Sequence, residues 1–117
     1  GIDALAIAFG TAHGFYKKEP KLDYERIAAI AEITEIPLVM HGGTGVSEEG
    51  FKKAIRNGIS KVNVGTELKA TYVSAIRDVT ARNPGEGDPR KYMCSVKQDC
   101  SEVVQRKIDI FGCAGRG

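Results

Sequence analysis

The sequence predicts an α/β fold built on a parallel β-sheet. Three short apolar runs, at residues 2–9, 38–40 and 62–64, alternate with segments in which apolar residues recur every three or four positions. Continuous apolar runs are typical of strands buried on both faces, and a helix between two such strands makes them parallel. With 117 residues, 42% of them hydrophobic, the chain is long enough for the core of one domain.

Composition and charge exclude several other classes of protein. The net charge of +2 is too small, and the hydrophobic content too high, for a disordered chain. The 17 basic and 15 acidic residues are interspersed, so no nucleic-acid partner is expected. The sequence has neither an apolar run of about 18 residues nor a secretory leader, and we expect a cytoplasmic protein with no membrane partner. Because it starts on an apolar run without Met, the sequence suggests a chain cut within its fold.

The cysteines do not indicate a metal or disulfide site. Cys94, Cys100 and Cys113 have neither a C-x-x-C nor a zinc-finger spacing, and we interpret them as free thiols in a reducing cytosol. A nucleophilic thiol is not expected, because no histidine lies near them in the sequence.

Three helices are predicted between and after the strands. Asp23 caps the first and Ser47 caps the second, which ends at the left-handed signal Asn57-Gly58. The third begins near Thr66 and stops at the Pro- and Gly-rich segment 83–87. The first helix carries its apolar residues on one side, the second presents them inward, and the third has them at helical spacing. They are Ile27, Ile30, Ala31 and Ile33 in the first, Phe51, Ala54 and Ile55 in the second, and Leu68, Tyr72, Ala75, Ile76 and Val79 in the third.

A fourth helix is the longest predicted element. Asp88-Pro89 starts it with a cap and a first-turn proline, and Gly112 ends it. Its apolar stripe needs a covering surface, and two alternatives are open: packing on its own domain, or docking as an arm on a second subunit. We therefore divide the chain into strand–helix units at 1–83 and a helical arm at 84–117. The stripe comprises Met93, Val96, Cys100, Val103 or Val104, Ile108 and Phe111.

Both histidines of the chain follow a predicted strand. His13 lies in the polar segment after the first strand, and His41 follows the second strand directly. Because the carboxyl ends of parallel strands form the ligand crevice, the two imidazoles are expected at a common site. Imidazole is a preferred zinc ligand, and catalytic zinc takes three protein ligands. The pair therefore indicates a metal site, whereas a single histidine there is more typical of a structural or hydrogen-bonding role.

Two glycine-rich segments predict an anion site at the same edge. Gly42-Gly43-Thr44-Gly45 and Val64-Gly65-Thr66 each lie between a strand and the start of a helix. Backbone N–H groups and the helix dipole favour anions there, and the threonine hydroxyls can donate further hydrogen bonds. Two such loops match the phosphate site that (β/α)8 barrels build after their last two strands. For either loop alone, ordinary turn chemistry is the alternative interpretation.

The two histidine segments, the two glycine-rich loops and the Asp88-Pro89 helix start follow one another along the chain. Taken together, they resemble the carboxy-terminal part of the class II, zinc-dependent ketose-bisphosphate aldolases, the family of fructose- and tagatose-bisphosphate aldolases. The resemblance implies about three βα units plus a helical arm of a TIM (β/α)8 barrel, with residues 1–117 forming part of one domain. Thr44 stands where the family usually has serine and keeps the hydroxyl. The matching stretches are residues 2–6, 10–14, 38–45, 61–68 and 88–93.

The resemblance also implies an activity and a set of site residues. The implied reaction is zinc-dependent aldol cleavage of a ketose 1,6-bisphosphate, with fructose 1,6-bisphosphate favoured, to dihydroxyacetone phosphate and glyceraldehyde 3-phosphate. His13 and His41 resemble two of the three ligands of one catalytic Zn²⁺, while the third histidine and the proton-donating aspartate are expected before Gly1. No catalytic acid or base is therefore assigned within the chain. The implied substrate-binding residues are Gly14, Gly42, Gly43, Thr44, Asn63, Val64, Gly65, Thr66 and Arg90, the last reaching a neighbouring subunit's site.

Other interpretations remain open beside this one. A metal-free phosphosugar isomerase or synthase would use the same loops, with the two histidines as acid–base groups. The chain could also be a non-catalytic, phosphate-binding piece, and we expect it to be inactive alone because a barrel needs about 250 residues. The arm suggests a homo-oligomer, a dimer or a tetramer. No Schiff-base lysine is expected, since Lys61 would begin its strand and face away from the site.

Overall fold

The computed structural model describes residues 1–18 and 20–116. The chain forms two compact units, Gly1–Thr66 and Glu67–Gly117. The first unit carries the sheet and two helices, and the second consists of helical segments. The elements are β1 (Leu5–Ala6), α1 (Tyr24–Ile33), β2 (Leu38–Met40), α2 (Glu48–Arg56), β3 (Ile59–Val62), α3 (Thr66–Arg82) and α4 (Pro89–Phe111).

The sheet has the strand order β1-β2-β3, and both pairings are parallel, as the alternation of strands and helices predicts. Leu38 on β2 lies opposite Leu5 on one side and Ile59 on the other. All three residues of β2 are buried, which is the pattern of a central strand covered on both faces. The three carboxyl ends of the strands therefore lie along one edge of the sheet.

The third strand begins and ends earlier than predicted. It spans Ile59–Val62 instead of residues 62–64, because α2 ends at Arg56 and the chain enters the sheet after Gly58. A bulge between Leu38 and Val39 in the pairing with β2 shifts the register by one residue. The segment after residue 62 is therefore loop at the carboxyl edge, because β3 ends at Val62.

The two helices of the first unit start as predicted. The carboxylate of Asp23 accepts a hydrogen bond from the Arg26 N–H at 3.0 Å, and the Ser47 hydroxyl accepts one from the Gly50 N–H at 3.2 Å. Each cap satisfies a backbone donor that the first helical turn leaves unpaired. The fully buried side chains of this unit are Phe9, Ile27, Leu38, Met40, Phe51 and Ala54.

One prediction for α1 is wrong, namely that Ile33 lies on the same side of the helix as Ile27. Ile33 is 84% exposed, whereas Ile27 is completely buried. At 3.6 residues per turn, six residues carry a side chain about 120° away from its starting direction around the helix axis. Ile33 therefore lies outside the stripe that faces the sheet.

The second unit contains α4 with the predicted boundaries. The Asp88 carboxylate caps its start by accepting from the Arg90 N–H, and Gly112 ends it with a φ of +67°. Val103 is buried and Val104 is 45% exposed, which decides between the two stripe alternatives. Glu67 at the start of α3 pairs with the Lys107 ammonium of α4 at 2.8 Å.

In the described part of the chain, no helix has both the length and the apolar character to cross a membrane.

Candidate active site

The three strands of the first unit lead directly into the polar segments singled out from the sequence. His41 and Asn63 each follow the last residue of a strand, and His13 lies in the loop between β1 and α1. Parallel pairing of β1, β2 and β3 brings these segments to the same edge of the sheet. The fold therefore places both histidines at the same edge of the sheet, as the sequence predicts.

The two imidazole rings are neighbours. Their centroids are 5.6 Å apart and the ring planes meet at 67°. Both histidines are exposed, so a ligand can approach either ring. With Zn–N distances of about 2 Å and tetrahedral angles, the centroids of two imidazole ligands lie roughly 5 Å apart. The spacing therefore fits two ligands of one metal ion.

The donor set for such an ion is partial. Within residues 1–18 and 20–116, no group of three or more His, Cys, Asp or Glu side chains is arranged to hold a metal. Catalytic zinc takes three protein ligands and keeps one position open for water or substrate. His13 and His41 thus fit two of those ligands, and this part of the chain does not supply the third.

Asn63 contacts His41 from the next strand end. Its Nδ2 lies 2.9 Å from Nε2 and 3.2 Å from Nδ1 of the ring. An amide N–H can only donate, so the ring nitrogen that accepts from it carries a lone pair. The contact places the Asn63 amide beside the His41 imidazole at the carboxyl edge of the sheet.

Lys61 does not face away from this site, contrary to the sequence-based expectation. It is the third residue of β3, and its ammonium donates to the Oδ1 of Asn63. Residues two apart along an extended chain point to the same side. With Oδ1 of Asn63 occupied by this donor, the amide nitrogen is directed at His41. The sequence signal for this contact was the i, i+2 spacing of Lys61 and Asn63.

The segment after β2 is held tightly between its neighbours. Gly42 has a φ of +69°, and a Cβ there would overlap the carbonyl of Ala12 in the loop after β1. A Cβ on Gly43 would lie 3.0 Å from the ring of Phe51 on α2. Thr44, the predicted hydroxyl donor of this loop, is only 4% exposed. Glycine is required at position 42 because the two loops approach through their backbones.

The other predicted anion-binding glycines have open space beside them. No atom outside the adjacent residues lies within 4 Å of a Cβ built on Gly14 or Gly65. Gly65 immediately precedes Thr66, the first residue of α3, and Val64 before it is half-buried. The loop after β3 therefore combines a helix start with room for a ligand, as an anion site requires.

Tyr16 is a site residue that the sequence reasoning missed. Its hydroxyl accepts from the Ala12 N–H at 2.7 Å and can donate to the Gly42 carbonyl at 2.7 Å or to the Ala12 carbonyl at 3.0 Å. A single side chain thus links the loop that carries His13 to the loop that carries His41. A half-buried tyrosine places its hydroxyl on a polar partner, and a tyrosine three residues after His13 was the available signal.

Arg90 belongs to the second unit. Its guanidinium side chain is 88% exposed and is held by the Asp88 carboxylate, with Nη2 2.7 Å from Oδ2 and Nε 3.0 Å from Oδ1. This pairing, helped by the Arg90 backbone N–H, lowers the pKa of Asp88, and it raises the pKa of Arg90. The pKa of the nearby Glu86 is also lowered, chiefly by its hydrogen bond to Lys91.

Three solved structures that share this fold are named as aldolases. The chain aligns with the YdjI aldolase from Escherichia coli K12 at 32% identity and a TM-score of 0.86, over 97% of this chain and 41% of that one. A protein assigned as a fructose-1,6-bisphosphate aldolase from Coccidioides immitis gives 31% identity and a TM-score of 0.87, over 98% and 40% of the two chains. A fructose-bisphosphate aldolase from Campylobacter jejuni, at 22% identity, shares the fold with a TM-score of 0.76 over 94% and 40%.

The family follows from the sequence as well. Residues 1–116 match the family model of class II fructose-bisphosphate aldolase. The chain belongs to the class II fructose-bisphosphate aldolase family, and the resemblance and the partial barrel expected from the sequence are confirmed. It spans about 40% of the length of the solved relatives that it matches.

Proposed function

We propose that the protein containing this chain catalyses the reversible, zinc-dependent aldol cleavage of a ketose 1,6-bisphosphate, with fructose 1,6-bisphosphate favoured. The observation that carries the proposal is the placement of His13 and His41 with ring centroids 5.6 Å apart, at the ends of two adjacent parallel strands. The products would be dihydroxyacetone phosphate and glyceraldehyde 3-phosphate, formed by breaking the bond between C3 and C4 of the substrate.

His13 and His41 are two of the three proposed zinc ligands. When bound, zinc would supply a Lewis acid for the carbonyl oxygen of the ketose. The Asn63 amide, 2.9 Å from Nε2 of His41, would provide a hydrogen-bond donor beside the reacting carbons. The third histidine and the aspartate that exchanges the proton of the C4 hydroxyl would lie outside residues 1–117.

The two glycine-containing loops would hold the phosphate of dihydroxyacetone phosphate. The open space beside Gly14 and Gly65 and the helix start at Thr66 support this role. Gly42, Gly43 and Thr44 would contribute backbone and hydroxyl groups from the loop after β2, and Asn63 and Val64 those of the loop after β3.

Arg90 would bind the distal phosphate in the site of a neighbouring subunit, in a dimer or tetramer assembled through the helical arm. Two observations support this role. The Arg90 side chain is highly exposed, and the hydrogen bonds from its guanidinium to the Asp88 carboxylate hold the cation at the surface. A cytoplasmic compartment is part of the same proposal.

This chain alone would be inactive, because the third zinc ligand and the proton-transferring aspartate would lie outside it. The test therefore uses the intact protein that contains it. We expect one zinc per subunit, activity lost on chelation and restored by zinc, and loss of both zinc and aldol cleavage in His41→Ala. Glu32→Ala, an exposed change on α1, is the matched control and should keep both.

Two results would overturn the proposal. Full aldol cleavage by His41→Ala would remove the histidine pair from the mechanism. Activity that withstands complete zinc removal, with isomerisation instead of cleavage of a phosphosugar, would establish the metal-free isomerase or synthase in its place.

A further inference from the structure

We propose that Tyr16 is a positioning residue that sets the separation of the loops carrying His13 and His41, so that both imidazoles reach the same metal ion. The inference rests on the metal site proposed above. It adds to that site a residue that is neither a ligand nor a substrate contact.

The hydroxyl of Tyr16 has partners on both loops. It accepts from the Ala12 N–H at 2.7 Å and lies 2.7 Å from the Gly42 carbonyl oxygen. Ala12 is the residue before His13, and Gly42 is the residue after His41. One oxygen atom therefore bridges the immediate neighbours of the two imidazole-bearing residues.

The sheet does not provide this connection. Pairing between β1 and β2 ends at Ala6 and Val39, seven residues before His13. Among the residues that the structure describes, no backbone hydrogen bond joins segment 10–16 to segment 41–45. The Tyr16 hydroxyl is the polar group that joins these two segments in the described chain.

The surrounding glycines are fitted to the tyrosine and to the close approach of the loops. A Cβ on Gly45, which has a φ of +87°, would lie 3.0 Å from Cδ2 of the Tyr16 ring. A Cβ on Gly42 would overlap the Ala12 carbonyl. The ring is therefore packed against one loop while its hydroxyl bonds to both, which restricts the movement of the loops relative to each other.

Positioning of this kind acts on metal affinity. Groups that orient metal ligands without touching the metal typically change affinity by about 10- to 100-fold when they are removed. Loss of the Tyr16 hydroxyl would leave both imidazoles present but free to separate, so the metal would be bound with weaker, less uniform geometry.

The test compares Tyr16→Phe with Tyr72→Phe in the intact protein. Both changes remove one phenolic oxygen, and Tyr72 is an exposed residue of α3 in the second unit. We expect zinc dissociation constants, measured by competition with a chromogenic chelator, to rise about tenfold for Tyr16→Phe and to stay within about twofold for Tyr72→Phe. Cobalt substituted for zinc should give a weaker and shifted visible absorption spectrum in Tyr16→Phe alone.

Amide hydrogen exchange provides a readout that does not depend on metal. Tyr16→Phe should speed exchange in segments 10–16 and 41–45 together, because the link between them is lost. A thermal melt close to that of the wild type would show that the effect is local.

The outcomes separate this proposal from the proposed function. Unchanged zinc affinity, cobalt spectrum and exchange in Tyr16→Phe would overturn the positioning role, even where His41→Ala abolishes zinc binding. Zinc binding that survives His41→Ala would instead contradict the proposed function, and the metal-positioning role would fall with it.

Discussion

The amide nitrogen of Asn63 lies 2.9 Å from Nε2 of His41, although 22 residues separate them in the sequence. The contact follows from the parallel pairing of β2 with β3, in which Met40 lies opposite Val62. His41 and Asn63, the next residue after each strand, are therefore neighbours at the carboxyl edge of the sheet. The backbone continues the pairing for one more step, since the Asn63 N–H donates to the Met40 carbonyl at 2.9 Å.

Replacing Asn63 with Ala should reduce aldol cleavage by the intact protein while leaving zinc in place. Removing one preorganised donor from a reacting centre typically lowers kcat by about 100- to 1,000-fold. Turnover and zinc content measured on the same preparation would check this. Asn83→Ala at the end of α3 removes an amide that donates to the Val79 carbonyl, and it should leave turnover unchanged. Equal turnover of the two variants would contradict the role of Asn63.

Replacing Lys61 with Met should lower kcat about tenfold, equivalent to about 1.4 kcal/mol in the barrier. The reason is that the Asn63 amide loses the donor that fixes its orientation. Lys97→Met, an exposed change on α4, is the control. Lys61 lies close to the site, so borohydride reduction with dihydroxyacetone phosphate is also needed. Covalent labelling of Lys61 would indicate Schiff-base chemistry in place of the proposed metal-dependent route.

Gly42→Ala should destabilise the protein by about 2–4 kcal/mol, from the strained positive φ and from the overlap with the Ala12 carbonyl. Urea denaturation of the intact protein gives the free energy of unfolding. Gly87→Ala has open space around its Cβ and no positive φ, and should stay within about 0.5 kcal/mol of the wild type. A Gly42→Ala protein as stable as Gly87→Ala would show that the loops do not approach as described.

Acid should weaken the start of α4 through Asp88. Its pKa is lowered in the folded protein, so its contribution to stability is present above the unfolded pKa of about 4 and is lost as the pH falls through the folded pKa. Asp88→Asn keeps a side chain that can cap the helix but removes the charge that pairs with Arg90. The wild type should be the more stable of the two at pH 6, and the difference should vanish towards pH 2. Helix content followed by circular dichroism during denaturation would check this, and a constant difference across that range would argue against the charge.

Local signals explain which parts of the fold were predictable. Asp23, Ser47 and Asp88 cap helices through contacts within three residues, so the sequence contains the whole interaction. The polar strand ends were predictable because all parallel strands end at one edge. The prediction for Ile33 was wrong because it used the apolar character of the residue and not its angular position around the helix axis relative to Ile27.

Contacts between segments were not predictable in the same way. The register of β3 depends on a bulge opposite Leu38 and Val39, and no residue type in that segment predicts the bulge. The link from Tyr16 to Gly42 spans 26 residues and requires that two loops first be placed by the sheet. The direction of the Lys61 side chain, towards Asn63, likewise depends on the residue at which β3 begins. These features require the tertiary arrangement, which composition and periodicity do not specify.

The sheet has β2 at its centre and β1 and β3 as its outer strands among the described residues. A further parallel strand added beside β1 would form backbone hydrogen bonds along that edge, and its own carboxyl-end loop would arrive next to the loop of His13. If such a loop carried the third ligand of the proposed metal site, the sheet would be extended on the same side of the molecule on which that site is completed. The accuracy with which a third ligand meets the first two would be set by backbone pairing between strands, before any side chain takes part.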